Sequence, residues 1–262
     1  MFTPIVPSGG LSGWTFLTRT LERQADLFNE SPSVQRDTDY FKQTIREVRN
    51  AEDLVSDRRL LRVALGAFGL GDDIDNRAFV KEIITQGTDR SDALANRLSD
   101  TRYNQFADGF AALGPGGTGR LDAGFASRIV DQFQRREFED AVGTQNTSLR
   151  IALNTDRELS TLATEPGSDN ALWFRILGNP PLRKAFEVAL GLPDSFAQLD
   201  LDRQLRDIST LASQRLGIET PRDLADKDTR EELTRQYVLR DQLNDVSVTS
   251  SNSIALTLLQ SA

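Results

Sequence analysis

Three stretches of the sequence carry residues whose type and spacing could support chemistry. Asp72-Asp73-Ile74-Asp75-Asn76 has the closely spaced carboxylates of a calcium loop. A loop of that kind begun at Asp73 needs glycine at its sixth place and a bidentate glutamate at its twelfth. Ala78 and Ile84 occupy those places, so the stretch reads as a solvated turn with Asp75 capping the helix that follows. Gly114, Gly116 and Gly119 match the glycine spacing of a dinucleotide-binding loop. That loop binds pyrophosphate only where it joins a strand to a helix N-terminus. Here the preceding Phe106 to Leu113 reads as helix, and Arg120-Leu121 stands where a phosphate loop needs Gly-Lys-Ser/Thr, so the glycines read as an interhelical loop. Glu137, Glu139 and Asp140, beside Arg135 and Arg136, could serve acid–base chemistry or hold a divalent cation. Distance and burial decide such roles; the spacing alone reads as an exposed helix face with i,i+4 pairs such as Arg136 with Asp140. No residue is assigned as catalytic, cofactor-binding or metal-ligating, and no cofactor is expected.

The residue types that are missing narrow the chemistry further. The chain has no cysteine and no histidine. This removes disulfides, thiol nucleophiles, Cys/His zinc sites and the histidine base that most serine hydrolases use. Carboxylate and lysine chemistry and carboxylate-held Mg²⁺ or Ca²⁺ remain. With 262 residues, 38% hydrophobic and 27% charged, the chain can bury a core as one large domain or two small ones. Its net charge of -8 argues against duplex DNA or anionic lipid as a partner, because phosphate binding needs clustered cations. No apolar run has the length of a membrane span, and Met1 to Gly10 lacks the basic and apolar regions of a signal peptide. The expectation is a protein without membrane insertion, either cytoplasmic or exported without a cleaved signal.

The elements that would position any site read as helices almost throughout. Residues 1–13, rich in Pro, Gly and Ser, read as an irregular N-terminal arm. Trp14, Leu17, Leu21, Ala25 and Phe28 recur at helical spacing. After Ser31-Pro32-Ser33, a second helix presents Tyr40, Phe41, Ile45 and Val48. Asn50 precedes Ala51-Glu52-Asp53 as an N-cap, and the apolar run from Leu60 to Phe68 stops at Gly69. Helices follow over 75–86, 90–99 and 101–113, and Gly114 to Gly119 is the strongest break. Asp122 then caps one long central helix that extends to Leu162, with Gly143 the place for a kink, before Pro166-Gly167. Further helices cover 170–177, 181–190, 200–215 and 227–244. The best strand-like alternation, Val246 to Thr249, is short. The fold class is all-α: a multi-helix bundle of short helices with one long central helix. The all-α domain spans 14–246, with 114–119 the place where it would divide into halves, and 247–262 forms a C-terminal tail ending in apolar Ile254 to Leu259.

An internal echo accompanies these elements. Asp57 to Gly71 aligns without gaps on Asn179 to Pro193, each a short apolar helix closed by Gly-Leu and followed by Asp72 or Asp194. A duplicated module and the common habit of helices to stop at glycine explain it equally at this stage.

Three stretches resemble a bacterial family known as domain of unknown function number twelve-seventeen, common in alphaproteobacteria. They are Asp57-Arg58-Arg59-Leu60-Leu61 running into Ala67-Phe68-Gly69-Leu70; Phe138 to Gly143 with Asn146, Leu149-Arg150 and Ala152-Leu153; and Leu256-Thr257-Leu258-Leu259-Gln260. Members of that family often lie among flagellar genes, so the resemblance implies a role in motility and supplies no catalytic residues. The resulting expectation is a non-enzymatic helical protein that binds other proteins, flagellar components among them. Its contact residues would be the apolar termini: Phe2, Ile5 and Val6 at one end, and Ile254, Leu256, Leu258 and Leu259 at the other. The competing readings are a carboxylate- or Mg²⁺-dependent enzyme or small-ligand binder, and a cytoplasmic regulator or export chaperone.

Overall fold

A computed structural model describes residues 2–260, with side chains described except for Asp194 and residues 245–260. The described residues are helical with no strand among them, so the fold is all-α. They divide into two compact units, one of Met1–Pro4 and Leu21–Ala141 and the other of Ile5–Thr20 and Val142–Ala262.

The first unit takes the later part of α1 (Gly10–Asn29), followed by α2 (Pro32–Thr44), α3 (Ala51–Ser56), α4 (Arg58–Phe68), α5 (Arg77–Gln86), α6 (Leu94–Arg97), α7 (Arg102–Gly109) and most of α8 (Phe125–Gly143). Its starts and stops follow side-chain chemistry. Pro32 opens α2, where a missing N–H costs nothing. Asn50 accepts the Asp53 N–H at 3.0 Å to cap α3. Asp57 accepts the N–H groups of Arg59 and Leu60 at 2.9 and 3.1 Å to cap α4. Helix α4 is the core of the unit, with Leu60, Leu61, Val63, Ala64, Leu65 and Ala67 all buried. This broad apolar face must be covered, and α2, α3 and α7 pack against it, while Arg58, Arg59 and Arg62 stay exposed. Phe68 meets Phe106 edge-on at 5.4 Å, and Phe110 meets Phe125 at 5.2 Å, tying α4, α7 and α8 together.

The second unit contains α9 (Thr147–Leu162), α10 (Asp169–Leu177), α11 (Pro180–Ala189), α12 (Leu201–Leu216) and α13 (Lys227–Gln260). Here α11 is the enclosed helix, with Leu182, Ala185 and Phe186 buried and α9, α10 and α13 packed around it. Trp173 of α10 stacks edge-on against Phe186 at 5.6 Å. Asn179 caps α11 by accepting the Leu182 N–H at 3.3 Å.

Several local readings of the sequence differ from the structure. Helix α1 begins at Gly10, inside the expected 1–13 arm, the helix expected over 90–99 is only Leu94–Arg97, and Asp122 stands three residues before α8. The long central helix is two helices. Helix α8 stops at Gly143, and Asn146 turns into extended backbone and accepts the Leu149 N–H at 2.9 Å to start α9. The connection keeps the apolar spacing in phase, which is why periodicity reads through it. Asp75 does not cap α5. A 3₁₀ turn over Gly71–Asp75 consumes it, Asn76 precedes the helix, and Asp75 pairs with Arg58 instead. Val246 to Thr249 lies inside α13, because a helix already packed through Leu233 and Tyr237 gains a hydrogen bond for each residue it adds.

The Asp57 cap generates a pH prediction. Burial opposes ionisation of this carboxyl, but hydrogen bonds from the Tyr40 hydroxyl at 2.5 Å and from the Leu60 and Arg59 amides outweigh it, holding the carboxyl below the usual aspartate range. A depressed folded value means that this stabilisation is complete above the unfolded range, about pH 4, and is lost as the pH falls through it. Asp57→Asn is therefore expected to lower the unfolding midpoint at neutral pH and to flatten its decline below about pH 4. Acid titrations of wild type and variant with equal slopes would contradict the assignment.

Candidate functional site

A helix that stops inside its own unit must satisfy its last carbonyls locally. Helix α11 does so with a Schellman turn. Gly191 adopts the left-handed region at φ 59°. Its N–H donates to the Val188 carbonyl at 3.0 Å, and the Leu192 N–H donates to the Glu187 carbonyl at 2.8 Å. Arg215, from the last turn of α12, donates to the Leu190 carbonyl. Arg240 of α13 extends its guanidinium over Gly191 so closely that a Cβ there would collide with it.

Helix α4 of the first unit ends the same way. Gly69 has φ 71°, its N–H donates to Gly66 at 3.0 Å, and the Leu70 N–H donates to Leu65 at 2.9 Å. Arg102 donates to the Gly69 carbonyl, and Arg136 of α8 donates through Nε to the Ala67 carbonyl at 2.8 Å. A Cβ at Gly69 would lie 2.8 Å from Arg136 Nη1. Each turn thus carries one arginine on a terminal carbonyl and a second laid over its left-handed glycine.

The two ends differ in what surrounds them. At α11 a hollow of about 310 Å³ opens, walled by Lys184 and Glu187 of α11, Leu192 and Pro193 beyond its end, and Arg240 and Leu243 of α13. This is at the small end of the range for ligand pockets. Glu187 faces Arg183 at 3.6 Å. Lys184 and Arg240 have no hydrogen bond or ion pair with any described residue. Leu243 is 60% exposed. Two uncommitted cations beside aliphatic walls are suited to an anionic group carried on an apolar body. Among the described residues no group of three or more potential ligands could hold a metal ion.

The residues singled out in the sequence fall elsewhere. Phe2 is half-buried and belongs to the first unit; Ile5, 54% exposed, and Val6, half-buried, belong to the second. The side chains of Ile254, Leu256, Leu258 and Leu259 lie outside the described residues. The Glu137–Asp140 stretch is not a wholly solvated face: Glu139 is 7% exposed. Burial raises the Glu137 carboxyl above the usual range against the pull of Arg62. Sequence reasoning missed Lys184, Arg240 and Leu243. The echo between Asp57–Gly71 and Asn179–Pro193 marked the turn they surround, but the approach of Arg240 to it is long-range and leaves no local trace.

Residues 67–233 match the family described as protein of unknown function (DUF1217). The chain belongs to this family. The match takes in Gly69 and Gly191 and ends at the residue before Thr234, so Arg240 and Leu243 lie past it. No curated protein matches the sequence. The X-ray crystal structure of an Agrobacterium tumefaciens protein is similar to this chain at a TM-score of 0.74 and 23% identity, covering 92% of this chain and 99% of that one. At that identity the likeness shows the fold.

The arginines of the DUF1217 chain's second turn should separate on substitution. Arg215→Ala strips the Leu190 carbonyl of a charged donor and is expected to cost about 1.5–3 kcal/mol of stability. Arg240→Ala removes no hydrogen bond and is expected to cost about 0.5 kcal/mol or less. Denaturant titrations decide it, and equal losses would show that Arg240 is part of the structural cap.

Proposed function

We propose that this chain is a non-enzymatic helical protein that binds other proteins and works in or around flagellar assembly, in the cytoplasm or after export. The observation that carries the binding part is the hollow beside α13, where Lys184 and Arg240 have no partner among the described residues and Leu243 is exposed. Charged groups left without partners next to exposed aliphatic surface are features of recognition surfaces. The course of α13 supports it too. The helix runs on to Gln260, and from Val246 its sequence contains no charged residue. In this reading Ile254, Leu256, Leu258 and Leu259 meet a partner, with Phe2, Ile5 and Val6 contributing from the other end of the sequence. Among the described residues no helix is long and apolar enough to cross a membrane, which agrees with contacts to proteins and not to a bilayer core. The motility part rests on the resemblance noted in the sequence, which implies a flagellar gene context.

A clean deletion strain is expected to lose swimming in soft agar, with filament counts separating an assembly defect from a rotation defect. Normal swimming would sink the motility reading. Removing residues 247–262 should leave cooperative unfolding intact, because Leu233, Thr234, Tyr237 and Val238 anchor α13 before that point. The truncated chain should nevertheless fail to restore swimming to the deletion strain. Full rescue by it would remove the C-terminal residues from the contact set.

A further inference from the structure

The two glycine turns, compared position by position, indicate what the hollow is missing. In the gap-free alignment of Asp57–Gly71 on Asn179–Pro193, Arg62 corresponds to Lys184. The arginines laid over Gly69 and Gly191 are Arg136 and Arg240. Three residues before each stands a fully buried aromatic, Phe133 or Tyr237, so α8 and α13 present the same register to their turns.

In the first unit both cations are answered from within the chain. Arg62 pairs with Asp37 at 2.9 Å and with Glu137 at 3.3 Å. Arg136 donates to the Ala67 carbonyl. One turn on from Arg136, Glu139 is buried. In the second unit the corresponding Lys184 and Arg240 have no partner among the described residues, and one turn on from Arg240, Leu243 is exposed. Burial has been exchanged for exposure, and among the described residues no carboxylate pairs with these cations; Glu187, the acidic residue described in the wall, faces Arg183.

We propose that the hollow at the end of α11 is the receptor for an acidic segment of a partner protein. One carboxylate of that segment is held between the Arg240 guanidinium and the Lys184 ammonium, and an adjacent aliphatic side chain lies against Leu243 and Leu192. The segment supplies to the second unit what Asp37 and Glu137 supply to the first. Arginine suits this role because its planar fork donates to both carboxylate oxygens at once. The aliphatic contact adds apolar burial that a free anion cannot provide.

This assignment rests on the protein-binding reading and narrows it to one surface. The probe is a pair of fluorescently labelled synthetic peptides, identical except that two positions flanking a central leucine are both Glu in one and both Gln in the other. Anisotropy titrations use the purified full-length chain. The Glu peptide is expected to bind, the Gln peptide to bind at least tenfold more weakly, and the Glu peptide to weaken as salt rises. Arg240→Gln, Lys184→Gln and Leu243→Ser should each weaken the Glu peptide at least fivefold. Lys184 and Leu243 are exposed, so their variants fold even if the arginine variant does not. Equal binding of the two peptides, binding by neither, or unchanged binding to the three variants would overturn the assignment. Displacement of the peptide by inorganic phosphate at equal concentration would also overturn it, marking a free-anion site. The titration can fail while the swimming phenotype stands, and a motile deletion strain leaves the titration untouched, so the two readings fail separately.

Discussion

The carbonyl groups at the end of an enclosed helix are the constraint on which both units depend. Helices α4 and α11 each bury a broad apolar face, and their last carbonyls are met by groups of the chain itself. Both use the same answer: a left-handed glycine, two reversed amide bonds, and an arginine on a terminal carbonyl. A second arginine laid over the glycine requires the long helix that carries it, α8 or α13, to pass close to that turn within its unit.

The same arrangement leaves an imbalance at α11. Where α4 surrounds its cations with carboxylates and carbonyls, α11 leaves Lys184 and Arg240 facing a hollow, next to an exposed leucine. An arginine held half-buried without a partner contributes little to stability and gives up hydration for it. Such groups are common where a partner completes them. The contrast between the two ends of one chain, one self-sufficient and one open, is the physical basis for locating recognition at the second.

How much was legible in the sequence depended on how local each feature is. Asn50, Asp57, Gly69 and Asn179 announce their caps because the interacting groups lie within five residues of one another. The all-α class follows from apolar spacing sustained along the whole chain. The break between α8 and α9 was hidden because the connection keeps that spacing in phase, although Asn146 held the signal as a capping residue. Val246 to Thr249 suggests a strand by composition, but propagation from a packed helix overrides so short a stretch. The burial of Glu139 and the reach of Arg240 to Gly191 are tertiary facts. No residue near either of them in sequence records where the side chain goes, so the candidate site was not legible beyond the glycine turn at its floor.

The central claim is that Arg136 is committed to its own chain and Arg240 is not, and hydrogen exchange at the arginine side chains tests it without a substitution. In NMR spectra of the full-length protein, the Nε–H of Arg136, hydrogen-bonded to the Ala67 carbonyl at 2.8 Å, should exchange slowly. The Nε–H of Arg240 should exchange at a rate close to that of a solvated arginine. Comparable protection of the two would show that Arg240 is already satisfied within the chain, and the second unit would then have no open receptor.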